Sequence, residues 1–245
     1  MNLVIDIGNS RVKLGVFKDN TLIYKETCNI IKLHAVVSNV QQKYPLIKFA
    51  LVSSVVKKHD ELLKMPPTIE KVFYLDSDTL VPFKNEYETP KTLGKDRIAL
   101  VTNAFYTYEN RNCLIIDAGT CITYDILTAE GKYKGGAISP GILMRFKALN
   151  NYTGKLPLVD HIAELTVKLT GNSTEKSLRS GVLNGVLFEI EGVINAYKEK
   201  YQDLTVILTG GDQHFLSKNL KNSIFATSNF LLEGLNHILA YNTNS

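Results

Sequence analysis

Residues 1–17, MNLVIDIGNSRVKLGVF, and residues 114–127, LIIDAGTCITYDIL, decide how this chain is read. In the first stretch Leu3, Val4 and Ile5 form an apolar run that ends on Asp6, and Ile7-Gly8-Asn9-Ser10 makes a tight polar turn. Val12, Leu14 and Val16 then alternate with Arg11, Lys13 and Gly15, which is strand periodicity. A buried strand thus delivers a carboxylate to a glycine turn, and a second strand leaves it. Gly8 permits close approach of a ligand to the backbone. Such a turn can hold phosphate oxygens through main-chain N–H groups, and the carboxylate beside it can hold a metal ion or its water shell. A plain hairpin with a satisfied Asp is the alternative.

The pattern recurs. Leu3, Ile5, Asp6 and Gly8 match Leu114, Ile116, Asp117 and Gly119 at one offset of 111 residues, close to half of the 245-residue chain. The halves therefore read as a duplicated unit, each opening with strand, Asp-x-Gly turn and strand. Two such turns facing one another would clamp a polyphosphate. Chance repetition of a hairpin is the competing explanation.

The bulk properties narrow the classes. A hydrophobic fraction of 44% with 21% charged residues suits a globular protein, and a formal charge of +4 without a long Lys/Arg cluster does not predict nucleic acid or membrane binding. Cys28, Cys113 and Cys121 are scattered and contain no CxxC pair, against a disulfide framework or a structural zinc site. The N-terminus enters the first strand directly, without a signal-peptide pattern, and no apolar run reaches membrane-spanning length. The expected location is the cytoplasm.

Along the chain, periodicity predicts a third strand at 21–26, a helix over 33–44 stopped by Pro45, a strand at 49–52, a helix over 57–65 and a short strand at 72–75. The segment 82–97, PFKNEYETPKTLGKDR, breaks every regular pattern, and a helix follows over 98–108. Gly94-Lys95-Asp96-Arg97 then lies at a loop-to-helix junction, where main-chain donors favour anions. In the second half 135–141, GGAISPG, reads as a glycine-rich loop, 142–150 as a helix and 175–200 as a long helix opened by Asn172, Ser173 and Thr174. A strand at 205–208 ends at Thr209-Gly210-Gly211-Asp212, a third glycine turn suited to a nucleotide's base or ribose, and 228–241 is a final amphipathic helix. Strands followed by helices in both halves indicate α/β layering.

No Walker-type G-x-x-x-x-G-K-[ST], no G-x-G-x-x-G and no G-x-S-x-G is present. What remains, two Asp-x-Gly turns plus Gly210-Gly211, resembles the phosphate-one, phosphate-two and adenosine motifs of the actin-like ATPase superfamily, which includes sugar kinases, acetate kinase and actin. Within it, the ordered series IDIGNS, SSVV at 53–56, Y-x-x-P-x-x-x-G-x-D-R at 87–97, DAGT at 117–120, GGAISPG, T-x-x-x-x-x-SG at 174–181 and TGGD resembles type III pantothenate kinase.

That resemblance implies an α/β fold of two duplicated ribonuclease H-like (actin-like ATPase) domains, each a mixed sheet flanked by helices, with a cleft between them. The expected division is 1–113 and 114–245. It implies ATP-dependent phosphorylation of pantothenate, the first step of coenzyme A synthesis, with Mg²⁺ accompanying ATP and a K⁺ or NH₄⁺ ion. Asp6, Ile7, Gly8, Asn9, Ser10, Arg11, Val12 and Lys13 would form the first ATP-phosphate loop, Thr120 would contact ATP, and Asp117 would lie at the monovalent-cation site. Tyr87, Gly94, Lys95, Asp96, Arg97 and Thr174 would line the pantothenate pocket, with Asp96 as general base and Arg97 suited to the substrate carboxylate. Similar enzymes are homodimers with the acceptor pocket at the subunit interface, and the helix over 175–200 is a candidate dimer element. Ser10 stands where threonine is common, and Asn172-Ser173 where Arg-Asn is frequent; Lys95 and Cys121 receive no individual role. The rivals are another small-molecule or sugar kinase on this fold and a non-catalytic regulatory relative.

Overall fold

The computed structural model describes residues 1–9, 11–54, 65–159 and 168–243. They form two compact units, residues 1–109 with 229–245, and residues 110–228. Ser10, Val55 and Val56 of the SSVV motif, and nearly all of the helix expected over 57–65 lie outside the described residues.

In the first unit β1 (Asn2–Ile7), β2 (Val12–Lys18), β3 (Thr21–Cys28), β4 (Phe49–Ser54) and β5 (Lys71–Tyr74) make a sheet ordered β3-β2-β1-β4-β5. β1 is antiparallel to β2 and parallel to β4. The strand alternation sorts its side chains. Leu3, Ile5 and Ile7 face one side and join Leu33, Val36, Val37 and Val40 of α1 (Leu33–Lys43) in a core. Val4 and Asp6 point to the other side. The second unit repeats the plan. Its strands β7 (Cys113–Ala118), β8 (Cys121–Leu127), β9 (Lys132–Pro140), β10 (Thr205–Thr209) and β11 (Phe225–Ala226) run in the order β9-β8-β7-β10-β11. β7 is antiparallel to β8 and parallel to β10. The expected duplication is therefore a repeat of sheet topology, with two mixed sheets flanked by helices.

In the second unit α4 (Thr174–Lys200) begins at Ser173, whose side chain accepts from Lys176 N–H. Its stripe Leu178, Val182, Val186, Ile190 and Ile194 is buried against the sheet with α3 (Ile142–Asn151) and α5 (Gln213–Asn219). At about 1.5–3 kcal/mol for each large aliphatic side chain fully buried, this seam is a main source of the unit's stability.

Several expectations shift. The final helix, α6 (Phe230–Thr243), belongs to the first unit, so the chain divides at 109/110 and again at 228/229. It packs on α2 (Lys95–Thr107) so closely that a Cβ on Gly234 would stand 1.9 Å from Ala99 O. Asn103 Nδ2 donates to Phe230 O and Glu233 Oε2, and Asn2 Nδ2 donates to Asn236 Oδ1. An amphipathic pattern identifies a helix but not the sheet it returns to.

The segment read as a loop at 135–141 is strand β9 through Pro140. Its glycines serve close pairing, because a Cβ on Gly136 would lie 1.6 Å from Tyr124 O. The irregular segment 82–97 contains a two-residue strand, β6 (Lys84–Asn85), and a 3-10 turn at Pro90–Thr92. α2 starts three residues earlier than expected, which puts Asp96 and Arg97 inside its first turn.

Candidate active site

The two Asp-x-Gly turns are built alike and differ by one residue. Asp6 pairs with Lys13 and Ile7 with Val12, so four residues close the first turn. Asp117 pairs with Thr123 and Ala118 with Ile122, so three close the second. Gly8 N–H donates to Arg11 O at 3.1 Å in one, and Gly119 N–H donates to Cys121 O at 2.9 Å in the other. Directly paired residues on adjacent strands project to the same face. Lys13, Asp6 and Ser53 thus form one row across β2, β1 and β4, and Thr123, Asp117 and Thr209 form the matching row across β8, β7 and β10. The offset of 111 aligns Lys13 with Tyr124, so only the strand pairing reveals Thr123 as its true counterpart.

In the first unit this row faces the N-terminus of α2. Asp6 is buried, and burial raises its pKa from 3.8 to about 6. Lys13 opposes that rise, the Asp96 carboxylate adds to it, and Ser53 opposes it. Asp6, Lys13 and Asp96 are therefore brought together within one unit. Ile7 and Val12 are core residues, which leaves only their main chain to face the turn, while Asn9 and Arg11 are exposed.

Asp96 is half-buried in the first turn of α2, where its Oδ1 accepts from Arg97 N–H at 2.8 Å. Gly94 caps the helix. A Cβ there would meet Asp96 Oδ1 at 2.5 Å, so a side chain at 94 would displace the carboxylate. Arg97 is only 3% exposed, and its guanidinium lies 5.4 Å from the Tyr87 ring centroid. Tyr87 N–H in turn donates to Asn85 Oδ1. The expected residues Tyr87, Gly94, Lys95, Asp96 and Arg97 thus sit in and against one helix start.

In the second unit backbone packs directly on the Asp117 turn. Gly210 has φ +99°, and a Cβ on it would come 2.2 Å from Ala118 O and 2.5 Å from Asp117 Oδ1. Asp212 N–H donates to Ala118 O, and Gly141 N–H donates to Thr120 O. Thr120 is exposed, as a ligand contact requires. Burial raises the Asp212 carboxyl from 3.8 to about 6. The Thr123 hydroxyl is buried without a hydrogen-bond partner among the described residues. A carboxylate with a neutral hydroxyl oxygen beside it is a hard-oxygen donor set that suits an alkali or ammonium ion. Among the described residues no three His, Cys, Asp or Glu side chains converge on a metal position.

The end of β9 is tied down by Arg145, whose Nε donates to Pro140 O and whose Nη2 donates to Ser139 Oγ and pairs with Glu189 at 2.5 Å. Tyr124 OH donates to the same carboxylate. Burial alone would raise Glu189, but Arg145, Tyr124 and Ser139 hold it below its ordinary value.

Thr174 belongs to the second unit. It is exposed at the start of α4 and lines a cavity of about 600 Å³ with Leu149, Leu156, Asn172, Ser173 and Leu178, a lining that holds no other expected site residue.

Sequence reasoning assigned no role to Ser53, although it quoted its motif, and did not single out Thr123 or the acid of TGGD, Asp212. The signal for all three is position on a strand or turn next to a motif Asp, which needs the register.

A family model described as Type III pantothenate kinase matches residues 2–196. The Type III pantothenate kinase of Christiangramia forsetii is 51% identical over 242 residues, 99% of each chain. Among solved structures, one described as a Baf family transcriptional activator from Campylobacter jejuni superposes with TM-score 0.64 at 24% identity, over 99% of this chain and 100% of the other. The activator of the 2-hydroxyisocaproyl-CoA dehydratase from Clostridium difficile, with bound ADPNP, gives 0.54 at 12% identity, over 98% and 93%. At these identities the structural matches speak to the fold, which is that of the actin-like ATPases.

Proposed function

Because the chain belongs to the type III pantothenate kinase family, we propose that it transfers the γ-phosphoryl group of ATP to the primary hydroxyl of pantothenate, the entry to coenzyme A synthesis. The observation that most supports this is the meeting of Asp6, Lys13 and Asp96 in one unit, with Arg97 and Tyr87 behind Asp96.

Phosphoryl transfer depends mostly on positioning and charge neutralisation, with a carboxylate orienting the attacking hydroxyl. Asp96 is the general base. Its place in the first turn of α2 leaves one carboxylate oxygen held by Arg97 N–H, so the other can take the hydroxyl proton. Arg97 binds the pantothenate carboxylate, with its guanidinium packed against Tyr87. The main chain from Asp6 to Lys13, with the Lys13 ammonium, receives the donor phosphates of Mg²⁺-ATP. Thr120 contacts ATP from its own exposed turn. Asp117, with the Thr123 hydroxyl in register beside it, would hold the K⁺ or NH₄⁺ ion, which supplies positive charge to the triphosphate.

We take the protein to be a cytoplasmic homodimer, as the family resemblance implies. Exposed Ile138, Leu143, Met144 and Phe188 of the second unit give a second copy an apolar surface to cover. Thr174 completes the acceptor pocket in that assembly. None of the helices among the described residues is long and apolar enough to cross a membrane. The test is a substrate panel. ATP with pantothenate should give phosphopantothenate while hexoses and acetate give no product, and preference for a sugar would replace pantothenate as the substrate.

A further inference from the structure

The SSVV motif has no part in the chemistry above, yet its first serine lies in the row that carries Asp6. Ser53 sits on β4 directly beside Asp6 on β1, and Lys13 sits beside Asp6 on the other flank, so the carboxylate is bracketed across three strands. Ser53 is 1% exposed, and its Oγ is sealed from solvent with no hydrogen-bond partner among the described residues. So placed, the hydroxyl faces protein rather than solvent. The register partner of Ser53 on β1 is Asp6, whose pKa the hydroxyl pulls down against the rise from burial.

We propose that Ser53 is a positioning residue for nucleotide binding, its hydroxyl steadying the Asp6 carboxylate in the orientation and ionised form that the first phosphate turn uses. A buried hydroxyl is costly to leave unmatched, and a carboxylate is the strongest acceptor it can find. Lys13 attracts the carboxylate from β2 and Asp96 repels it from the start of α2, so a donor on β4 fixes its third side. This inference rests on the assignment of Asp6 to the ATP turn.

The test compares Ser53→Ala and Ser53→Thr with the parent chain. It measures binding of Mg²⁺ with a non-hydrolysable ATP analogue, KM for ATP and for pantothenate, and melting temperature. Ser53→Ala should weaken analogue binding and raise KM for ATP about tenfold, the worth of one hydrogen bond to a charged group. KM for pantothenate should stay near the parent value, the melting temperature at neutral pH should fall by only about 2–4 °C as Asp6 becomes costlier to ionise, and Ser53→Thr, which keeps the hydroxyl, should restore nucleotide affinity. Analogue affinity of the parent chain should fall below about pH 6 as Asp6 takes a proton, and Ser53→Ala should move that fall to higher pH. Unchanged nucleotide affinity with an unshifted acid limb overturns the proposal. So does an equal loss for both substrates with a much larger fall in melting temperature, which is the mark of a packing role. A parent chain that binds the analogue but does not phosphorylate pantothenate refutes the kinase assignment and leaves the Ser53 comparison decisive. One that binds no nucleotide overturns both.

Discussion

Asp6→Asn should make the protein more stable while removing its nucleotide binding. Asp6 is 8% exposed, and its pKa is raised from 3.8 to about 6, first by burial, with Lys13 opposing, Asp96 adding and Ser53 opposing. At about 1.4 kcal/mol per pH unit of displacement, keeping this group ionised at neutral pH costs the folded chain about 3 kcal/mol. The folded state holds its proton more tightly than the unfolded state, so the cost is absent below the unfolded value. It grows as pH rises through the window from about 4 to about 6 and is complete above it. Asparagine keeps the shape and carries no charge. Urea unfolding of the ligand-free proteins at pH 7.5 should therefore show Asp6→Asn more stable by about 3 kcal/mol, and the advantage should shrink to roughly half by pH 5. Titration with Mg²⁺ and an ATP analogue should show affinity lost in the same variant. A destabilised Asp6→Asn, or an advantage that does not change between pH 7.5 and pH 5, would refute the account of Asp6 as a charge held at a cost for function.

Asp96→Asn keeps an acceptor for Arg97 N–H, so it should fold and bind nucleotide normally while kcat falls by about 10²–10⁴, the range for loss of a general base; turnover close to the parent value would remove Asp96 from that role. Gly136→Ala places a Cβ 1.6 Å from Tyr124 O, a clash with backbone that β9 cannot relieve without breaking its pairing. A loss above about 4 kcal/mol, seen as poor soluble yield and a collapsed melting temperature, is expected, and parent-like melting would contradict the strand geometry. Asp117→Asn should abolish stimulation by K⁺ and also the rise in melting temperature that KCl gives over a non-binding salt at equal ionic strength; an undiminished KCl-specific rise would place the cation elsewhere.

The parts of the fold that follow local rules were legible in the sequence. Alternation at Val12, Leu14 and Val16 and the four-residue spacing at Leu178, Val182, Val186, Ile190 and Ile194 each report a face that a strand or helix must bury, and each is buried. The duplicated Asp-x-Gly turns announced the repeated sheet. What stayed hidden depends on which surfaces meet. The 228–241 pattern named a helix, but its return to the first unit is decided by Gly234 against Ala99 and by Asn103 and Asn236, contacts more than a hundred residues apart. GGAISP looked like a loop because glycine and proline usually interrupt strands. At Gly136 the missing Cβ is what lets the strand pair.

The site shows the same division. Asp6, Asp96 and Asp117 are recognisable from motifs, and the structure brings Asp6, Lys13 and Asp96 together. Ser53 and Thr123 enter through register, and the shorter second turn defeats a constant offset by one residue. That one-residue difference also separates the two carboxylates chemically. Lys13 faces Asp6, which suits an anionic ligand, and the Thr123 hydroxyl faces Asp117, which adds a neutral oxygen donor to the acid's own.

The most direct measurement is ADP formation by the purified protein with ATP and Mg²⁺, with and without pantothenate, in the presence and absence of K⁺. The account predicts ADP that depends on pantothenate, an equal amount of phosphopantothenate, and a rate that rises with K⁺. No pantothenate-dependent ADP in K⁺-containing buffer would contradict it.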